Sequence, residues 1–313
     1  FLNKAKPQEH KDKVLMIDAR DIFRKVTRKI YDFSPEQLQN ILSITWLYRG
    51  ETKRFHDLVV NYFSQMFAEA RQSEVLLLNY KTAFETIDNE LQPFIATLPK
   101  KGKQAKTLRE LKTCSKSLNQ GMRSFAKLTK EKCAWWKKQN KDDMNLTDGL
   151  EEIESFIAEN NSLIKASELM YRLIIRLMDI CLNSCNGKKS DTWNNREIVL
   201  LKKKTEIARD EAVAQLKQIR YVHHQAQWLL ERFPDEKLRD VEGLVKLVDK
   251  AELEENDWSL TPGRYVGVAP EEEDPDFDFD ETMHTIHTEL DSLNVKASDL
   301  AKQIGENFGK LGI

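Results

Sequence analysis

Two pairs of side chains and one histidine have the types and spacing that chemistry would need. Asp18 and Asp21 follow a short apolar run, where paired carboxylates can serve acid–base catalysis, although capping of the next turn is the simpler role. Cys181 and Cys185 stand one helical turn apart, but no His or Cys follows at the spacing of a zinc site. His223 falls on the apolar stripe of a helical pattern, which favours a packed histidine over a metal ligand. The residues alone therefore predict a chain without a catalytic centre.

The sequence contains none of the short motifs that position phosphates or nucleophiles. No glycine-rich loop opens a helix after a strand, and neither a Gly-x-Ser-x-Gly elbow nor a His-Glu-x-x-His helix is present. The four cysteines are too few for a disulfide scaffold, so we expect structural, reduced thiols. The most apolar stretch, 169–182, is interrupted by Arg172, Arg176 and Asp179 and predicts no membrane span. Since no signal peptide is visible, the cytoplasm is the expected compartment.

Composition indicates a helical protein. The 313 residues include only 11 Gly and 8 Pro, while 32% are charged. Because Gly and Pro punctuate strands and turns, their scarcity predicts long uninterrupted helices. The length suggests about two domains. The formal net charge is −2, so the distribution of charge, and not its total, bears on nucleic-acid binding.

The first fifty residues have a mixed pattern. Residues 14–19 form a short apolar run that predicts a buried strand, and residues 1–4 are a candidate partner for it. A helix is predicted to begin at Ser34, an N-cap followed by Pro35, and to end at Gly50. Its predicted apolar face consists of Leu38, Ile41, Leu42, Thr45 and Trp46. These elements suggest the closing piece of an α/β domain.

From residue 52 onward, apolar side chains recur at steps of three and four. The first such face predicts a helix of about forty residues ended by Pro93 and Pro99. Its members are Phe55, Val59, Tyr62, Met66, Ala70, Ser73, Leu77, Tyr80, Phe84, Ile87 and Leu91. Three further long helices follow, the last closing before Pro234. Seams of this length predict an antiparallel coiled coil or helical bundle over residues 52–235.

Positive charge is concentrated within this helical region. Residues 100–141 contain fourteen Lys or Arg against only Glu110 and Glu131. One interpretation is a nucleic-acid-binding patch, and the other is a solvated helix face whose tryptophans cover the end of a bundle. The candidate DNA contacts in the first interpretation are Trp135, Trp136, Lys137 and Lys138.

The C-terminal stretch, 283–311, has the pattern of a coiled-coil helix. Apolar or small residues alternate at steps of three and four over about four heptads. The candidate partner-binding residues are Ile286, Leu290, Leu293, Ala297, Leu300, Ile304 and Leu311. One hypothesis is that this seam binds a partner's helices, and the alternative is that it packs on the bundle of the same chain. Before it, residues 271–281 include eight acids in eleven positions, which predicts a solvated spacer.

Two blocks of the sequence resemble one known family. "VLMIDARDIFRKVTRKIYDFSPEQLQNILSITWLYRGE" (14–51) is similar to the end of the methyltransferase domain in M subunits of type I restriction–modification systems, including the Ile-Asp-Ala strand end and the closing Arg-Gly. "VEGLVKLVDKAELEENDWSLTPGRYVGVAPEEEDPDFDFDETM" (241–283) resembles the block that follows in this family, with its Leu-x-Pro-x-Arg-Tyr-Val core at 260–266. In ordinary members the two blocks nearly adjoin, whereas here a long helical insertion separates them.

The resemblance implies a fold and a domain division. The expected fold is mainly α, with a long antiparallel helical bundle inserted between a small α/β remnant of a methyltransferase domain and a C-terminal partner-binding helix. Residues 1–51 would be the closing piece of the methyltransferase domain, a strand hairpin plus a helix, and 52–235 the insertion. Residues 236–270 would complete the methyltransferase-like block, and 271–313 would hold the acidic spacer and the heptad helix. The dipeptide Pro262-Gly263 predicts a turn in which Gly adopts a positive φ.

The resemblance also implies an activity for the complete subunit. The family transfers a methyl group from S-adenosylmethionine to N6 of adenine in DNA, and it assembles with a DNA-specificity subunit and a restriction subunit. Its cofactor-binding glycines and its Asn-Pro-Pro-aromatic motif do not occur in these 313 residues, so no catalytic, cofactor or metal residue is assigned. Arg264 and Tyr265 are candidates for an interdomain or DNA contact.

Two other functional interpretations stay open at this point. The chain could be a free-standing coiled-coil scaffold that carries these blocks, or a nucleic-acid-binding helical protein that uses the basic face of 100–141.

Overall fold

The computed structural model describes residues 6–98 except 26 and 28, residues 103–184, residues 193–269, and single positions between 283 and 308. The chain divides into two compact units, Phe1–Val266 and Gly267–Ile313. In the first unit, four long helices pack together beside short strands, which confirms the predicted mainly α class.

The elements of the first unit follow in a simple order. The strands are β1 (Lys13–Ile17), β2 (Arg24–Lys25), β3 (Tyr31–Asp32) and β4 (Val245–Asp249). The helices are α1 (Pro35–Tyr48), α2 (Thr52–Ile95), α3 (Lys103–Lys138), α4 (Leu146–Ser184), α5 (Asn195–Arg232) and α6 (Lys250–Glu255). A 3-10 turn, Pro262–Arg264, follows α6.

Helices α2 to α5 form an antiparallel bundle. Hydrogen bonds from Thr205 to the Ala83 carbonyl and from Gln215 to the Glu69 carbonyl fix α5 antiparallel to α2. The predicted face of α2, from Phe55 to Leu91, is buried at every position. At 1.5 Å per residue, α2 alone is about 66 Å long. The helical periodicity of 52–235 therefore gave the correct architecture.

Helix α2 ends between the two prolines that were predicted to terminate it. It continues to Ile95, with Pro93 inside its last turn, and Pro99 lies outside the described residues. A proline in the last turn removes a single backbone donor, so the loss is small. The buried ring of Phe94 packs against Trp193, with centroids 4.7 Å apart, and this contact helps to hold the final turn.

Helix α1 begins as predicted but buries a different face. Ser34 caps it in a complete capping box with Gln37. The predicted apolar face was wrong, because Leu38 and Leu42 are 48% and 43% exposed, and the buried residues are Asn40, Ser43, Ile44 and Leu47. Buried polar groups determine which face of α1 turns toward the bundle.

A chain of hydrogen bonds joins α1 to the bundle. The Asn40 amide donates to Gln225 at 3.0 Å, and the Tyr62 hydroxyl donates to the Asn40 side-chain oxygen at 2.8 Å. Ser34 and Tyr221 share a hydrogen bond of 2.6 Å between their hydroxyls. A buried amide that lost these partners would cost about 1–3 kcal/mol, so the network selects the face of α1 that turns inward.

The strands β1 and β4 close the first unit. They pair antiparallel from Lys13↔Asp249 to Ile17↔Val245, which brings residues from either side of the bundle into one ladder. The candidate partner 1–4 lies outside the described residues. A small second core forms around this ladder from Met16, Val248, Leu253, Tyr265 and Val266.

A buried histidine on α2 contacts the segment after α5 and the connection between α3 and α4. His56 on α2 lies with Nδ1 3.0 Å from both carboxylate oxygens of Glu236 and Nε2 2.7 Å from the Lys141 carbonyl. Because both nitrogens face acceptors, the charged imidazolium satisfies the site. Burial by itself would lower the pKa of His56, but the hydrogen bonds to Lys141 and Glu236 outweigh it and raise that pKa.

We expect this histidine to make stability depend on pH. Since its pKa is raised in the folded state, the contribution is fully present below the unfolded pKa, about 6.5, and is lost as pH rises through the folded value. His56→Gln should therefore destabilise the protein at pH 6, by roughly 1–3 kcal/mol, and less at pH 8. Urea unfolding at both pH values measures this. His10→Gln is the control, because His10 stacks on Tyr48 instead of facing a carboxylate; an equal loss for His56→Gln at both pH values would contradict the assignment.

Candidate interaction sites

The end of β1 meets the turn that follows α6. The Asp18 carboxylate accepts hydrogen bonds from Arg20 Nε at 2.9 Å and Arg20 Nη2 at 2.6 Å, and from the Arg20 backbone. These bonds to Arg20 lower the pKa of Asp18. Asp18 therefore organises the turn after β1, in agreement with the structural role rather than with acid–base chemistry.

Gly263 lies directly against this ion pair. A Cβ at Gly263 would approach Arg20 Nη2 to 2.6 Å and Asp18 Oδ2 to 3.3 Å. The predicted positive φ at Gly263 was wrong, because the glycines with positive φ are Gly50, Gly243 and Gly267. A side chain at position 263 would therefore displace the flexible end of Arg20 and press on the Asp18 carboxylate. The two similar blocks are thus in direct contact at this point.

The two candidates at 264 and 265 have different surroundings. Arg264 is exposed at the end of the 3-10 turn and is available to a partner. Tyr265 is only 6% exposed, and its hydroxyl donates to the Ser259 carbonyl at 2.6 Å. Tyr265 is therefore a core residue of the small second cluster, and the expectation that it contacts DNA or another domain is not supported by its position.

An apolar surface surrounds the β2–β3 hairpin and α1. An open groove there is lined by Ile22, Phe23, Tyr31 and Phe33, with the Arg24–Asp32 ion pair closing the hairpin at 2.7 Å. The exposed apolar side chains of this surface are Phe23, Ile30, Tyr31, Phe33, Leu38 and Leu42. Exposed apolar clusters of this kind mark interaction sites more often than scattered single residues do.

The four candidate DNA-contacting residues at the end of α3 differ in burial. Trp136 is 5% exposed and packs against Phe63 and Phe67, with ring centroids 5.6 and 5.9 Å apart. Trp136 is thus a core residue and cannot stack on a base in this conformation. Trp135 is partly buried, whereas Lys137 and Lys138 are exposed.

The described cysteines and His223 are buried or partly buried. Cys114 and Cys133 are free thiols, and burial raises the pKa of both; Cys181 is buried, and Cys185 lies outside the described residues. Burial and the neighbouring His224 lower the pKa of His223 to about 4, which keeps its ring neutral. Within the described ranges, no group of three or more His, Cys, Asp or Glu is arranged to hold a metal. None of the described helices combines the length and apolar character that crossing a membrane requires.

The second unit presents the predicted seam to solvent. At the described positions between 283 and 308 the chain is helical, and these side chains are exposed. The large apolar members of the seam are between 44% and 59% exposed: Met283, Ile286, Leu290, Leu293, Leu300 and Ile304. Ala297 belongs to the same row, and Leu311 lies outside the described residues.

Comparison with known proteins gives one partial similarity. Over 73 residues, 23% of this chain, the sequence is 38% identical to the methylase subunit of the type I restriction enzyme HindI of Haemophilus influenzae. The chain covers 16% of the length of that relative. No family model matches the chain, and no solved structure matches it.

The burial of Trp136 leads to a clear expectation for stability. Trp136→Ala should lower the free energy of unfolding by about 3–5 kcal/mol, because it opens a cavity between α2 and α3. The matched change of the exposed neighbours, Lys137→Gln with Lys138→Gln, should stay within about 0.5 kcal/mol of wild type. Chemical denaturation of both variants measures the difference, and a Trp136→Ala protein as stable as wild type would show that the ring is not part of the core.

Proposed function

We propose that this chain is the C-terminal part of a type I restriction–modification DNA adenine-N6 methyltransferase subunit and that it mediates assembly with the DNA-specificity subunit. The observation that carries the proposal is the contact between the two family-like blocks. They are separated by a long insertion in sequence, yet β1 pairs with β4 and Gly263 packs on Asp18 and Arg20. The partial similarity to a type I methylase subunit supports the same family.

The small size of the β1–β4 sheet also supports this proposal. A two-stranded ladder is marginally stable alone, and in the described residues β1 and β4 form a sheet of two strands. The apolar surface around the hairpin and α1 lies in the same family-like block. A larger methyltransferase domain would cover such a surface and extend such a ladder, so both features fit a closing piece of that domain better than a free-standing scaffold.

The heptad helix is the proposed attachment to the specificity subunit. An exposed row of leucine and isoleucine side chains gains about 2 kcal/mol for each one that a partner buries. Ala297 at the middle of the row allows a partner helix to approach closely. The remaining assignments follow from the proposed family: S-adenosylmethionine is the cofactor of the complete subunit and not of this part, the restriction subunit and DNA are further partners, and the compartment is the cytoplasm.

A charge in the seam should abolish assembly. Leu293→Glu with Leu300→Glu places two carboxylates in the row, and burying them against an apolar partner would cost several kcal/mol. We expect the double variant to lose co-purification with a co-expressed specificity subunit while its far-ultraviolet circular dichroism stays unchanged. The control is Ser298→Glu with Gly305→Glu, which adds the same charge to the same helix away from the seam.

The outcomes separate the two hypotheses for the seam. Retention of the specificity subunit by the Leu293, Leu300 double variant would refute the seam as the interface. Unfolding of that variant, with the control variant intact, would show instead that the seam packs within the same chain.

A further inference from the structure

The outer face of α3 carries a regular row of cations. Five basic residues are spaced seven apart along the helix: Arg109, Lys116, Arg123, Lys130 and Lys137. Each of the five is exposed. Seven residues rise about 10 Å, so the row extends roughly 42 Å along the helix axis and drifts by about 20° around it per heptad. We call these five residues the basic row.

The basic row lies opposite the core of the bundle. Helix α3 packs mainly along α4, with Lys132 paired to Glu152 at 2.8 Å and Cys114 beside the Ala166 carbonyl. Its buried residues, which also recur at steps of three, four or seven, are Thr107, Leu111, Cys114, Leu118, Phe125, Thr129 and Trp136. At 100° per residue, the basic row is centred roughly 150° away from these positions. The cations therefore point away from the bundle.

The charge of this face is largely uncompensated. Helix α3 contains eleven Lys or Arg and two Glu, and both glutamates are paired with lysines outside the basic row, Glu110 with Lys106 and Glu131 with Lys127. In the described part of the chain, no member of the basic row takes part in an ion pair. A solvated helix face normally mixes both signs of charge, so a single-sign row of this length favours a polyanionic partner.

The length of the basic row indicates which kind of polyanion can contact all five cations. A nucleotide or a phosphopeptide would meet one or two of the five cations, whereas a duplex presents one phosphate charge per about 1.7 Å of its axis and can meet all of them. A partner helix would require apolar residues to bury, and none of the exposed large apolar side chains in the described residues lies on α3. Both points favour nucleic acid over a protein helix.

We propose that the basic row of α3 binds the phosphate backbone of double-stranded DNA without reading its sequence. The five side chains would contact phosphates and hold the helical insertion along the duplex. The choice of DNA among duplex polyanions rests on the proposed function, whereas the geometry of the charges does not depend on it. This function belongs to the insertion, which the resemblance to the methyltransferase subunits does not cover.

The test compares two variants that lose the same charge. In the first, Arg109, Lys116, Arg123, Lys130 and Lys137 are all changed to Gln. In the matched control, five exposed lysines outside α3 are changed to Gln: Lys11, Lys203, Lys204, Lys237 and Lys250. Fluorescence anisotropy with a labelled 30-base-pair DNA duplex, from 50 to 200 mM KCl, gives the affinity of the full chain and its salt dependence. Circular dichroism verifies that both variants remain folded.

We expect wild type to lose roughly 500-fold in affinity over this salt range, because five phosphate contacts at about 0.9 each give a log–log slope near −4.5. The row variant should bind at least tenfold more weakly at 50 mM, with a slope smaller by about 3 or more, while the control stays near wild type. Equal losses in both variants, or no binding by wild type at 50 mM, would overturn the proposal. A preference for duplex RNA in competition would overturn the assignment to DNA.

This experiment is independent of the assembly test. A chain that binds duplex DNA through the basic row but fails to retain a specificity subunit would refute the proposed function. The proposed DNA binding by the basic row would be unaffected. A chain that assembles normally but does not bind DNA would refute the basic row alone.

Discussion

The pairing of β1 with β4 is the constraint on which the first unit depends. It joins Ile17 to Val245 and so closes a loop of roughly 230 residues, whose entropic cost grows only slowly with length. The loop can be this long because an even number of antiparallel helices returns the chain to the end from which it left. Four helices, α2 to α5, satisfy that condition, and the bundle can extend about 66 Å from the strands without disturbing their register.

Polar contacts at the base of the bundle join α2 to α1, to α5 and to the segment after α5. Apolar packing along a long seam permits small sliding movements, because successive layers resemble one another. The hydrogen bonds of Asn40 with Tyr62 and Gln225, and of His56 with Glu236, join specific atoms and remove that freedom. They also connect α1 and the segment after α5 to the same end of α2. The relative positions of α1, α2 and α5 at this end of the bundle are therefore set by a few specific polar groups.

The sequence predicted those parts of the fold in which one physical rule dominates. The seam of α2 repeats over eleven positions, and apolar periodicity alone located it. The buried face of α1 was predicted wrongly because it contains the polar residues Asn40 and Ser43. The free energy of burying Asn40 depends on its hydrogen bond to Gln225, which is far away in sequence. Periodicity also cannot show that residue 17 pairs with residue 245; only the family resemblance indicated that these blocks belong together. At the candidate sites, lysines beside Trp136 and an arginine beside Tyr265 suggested contact surfaces, but composition does not distinguish an exposed ring from a buried one.

The burial of Trp136 explains how the basic row keeps its direction. The buried residues of α3 run from Thr107 to Trp136, and the basic row lies on the other side of the helix, centred roughly 150° from them. A strict spacing of seven drifts by about 20° per heptad in a straight helix, so the basic row turns gradually around α3 from Arg109 to Lys137. Trp136, wedged against Phe63 and Phe67, fixes the rotation of α3 at its C-terminal end, while Leu111 and Cys114 fix it near the start. The packing that removes Trp136 from the list of DNA contacts is thus the same packing that holds Arg109 to Lys137 on the outer face of α3.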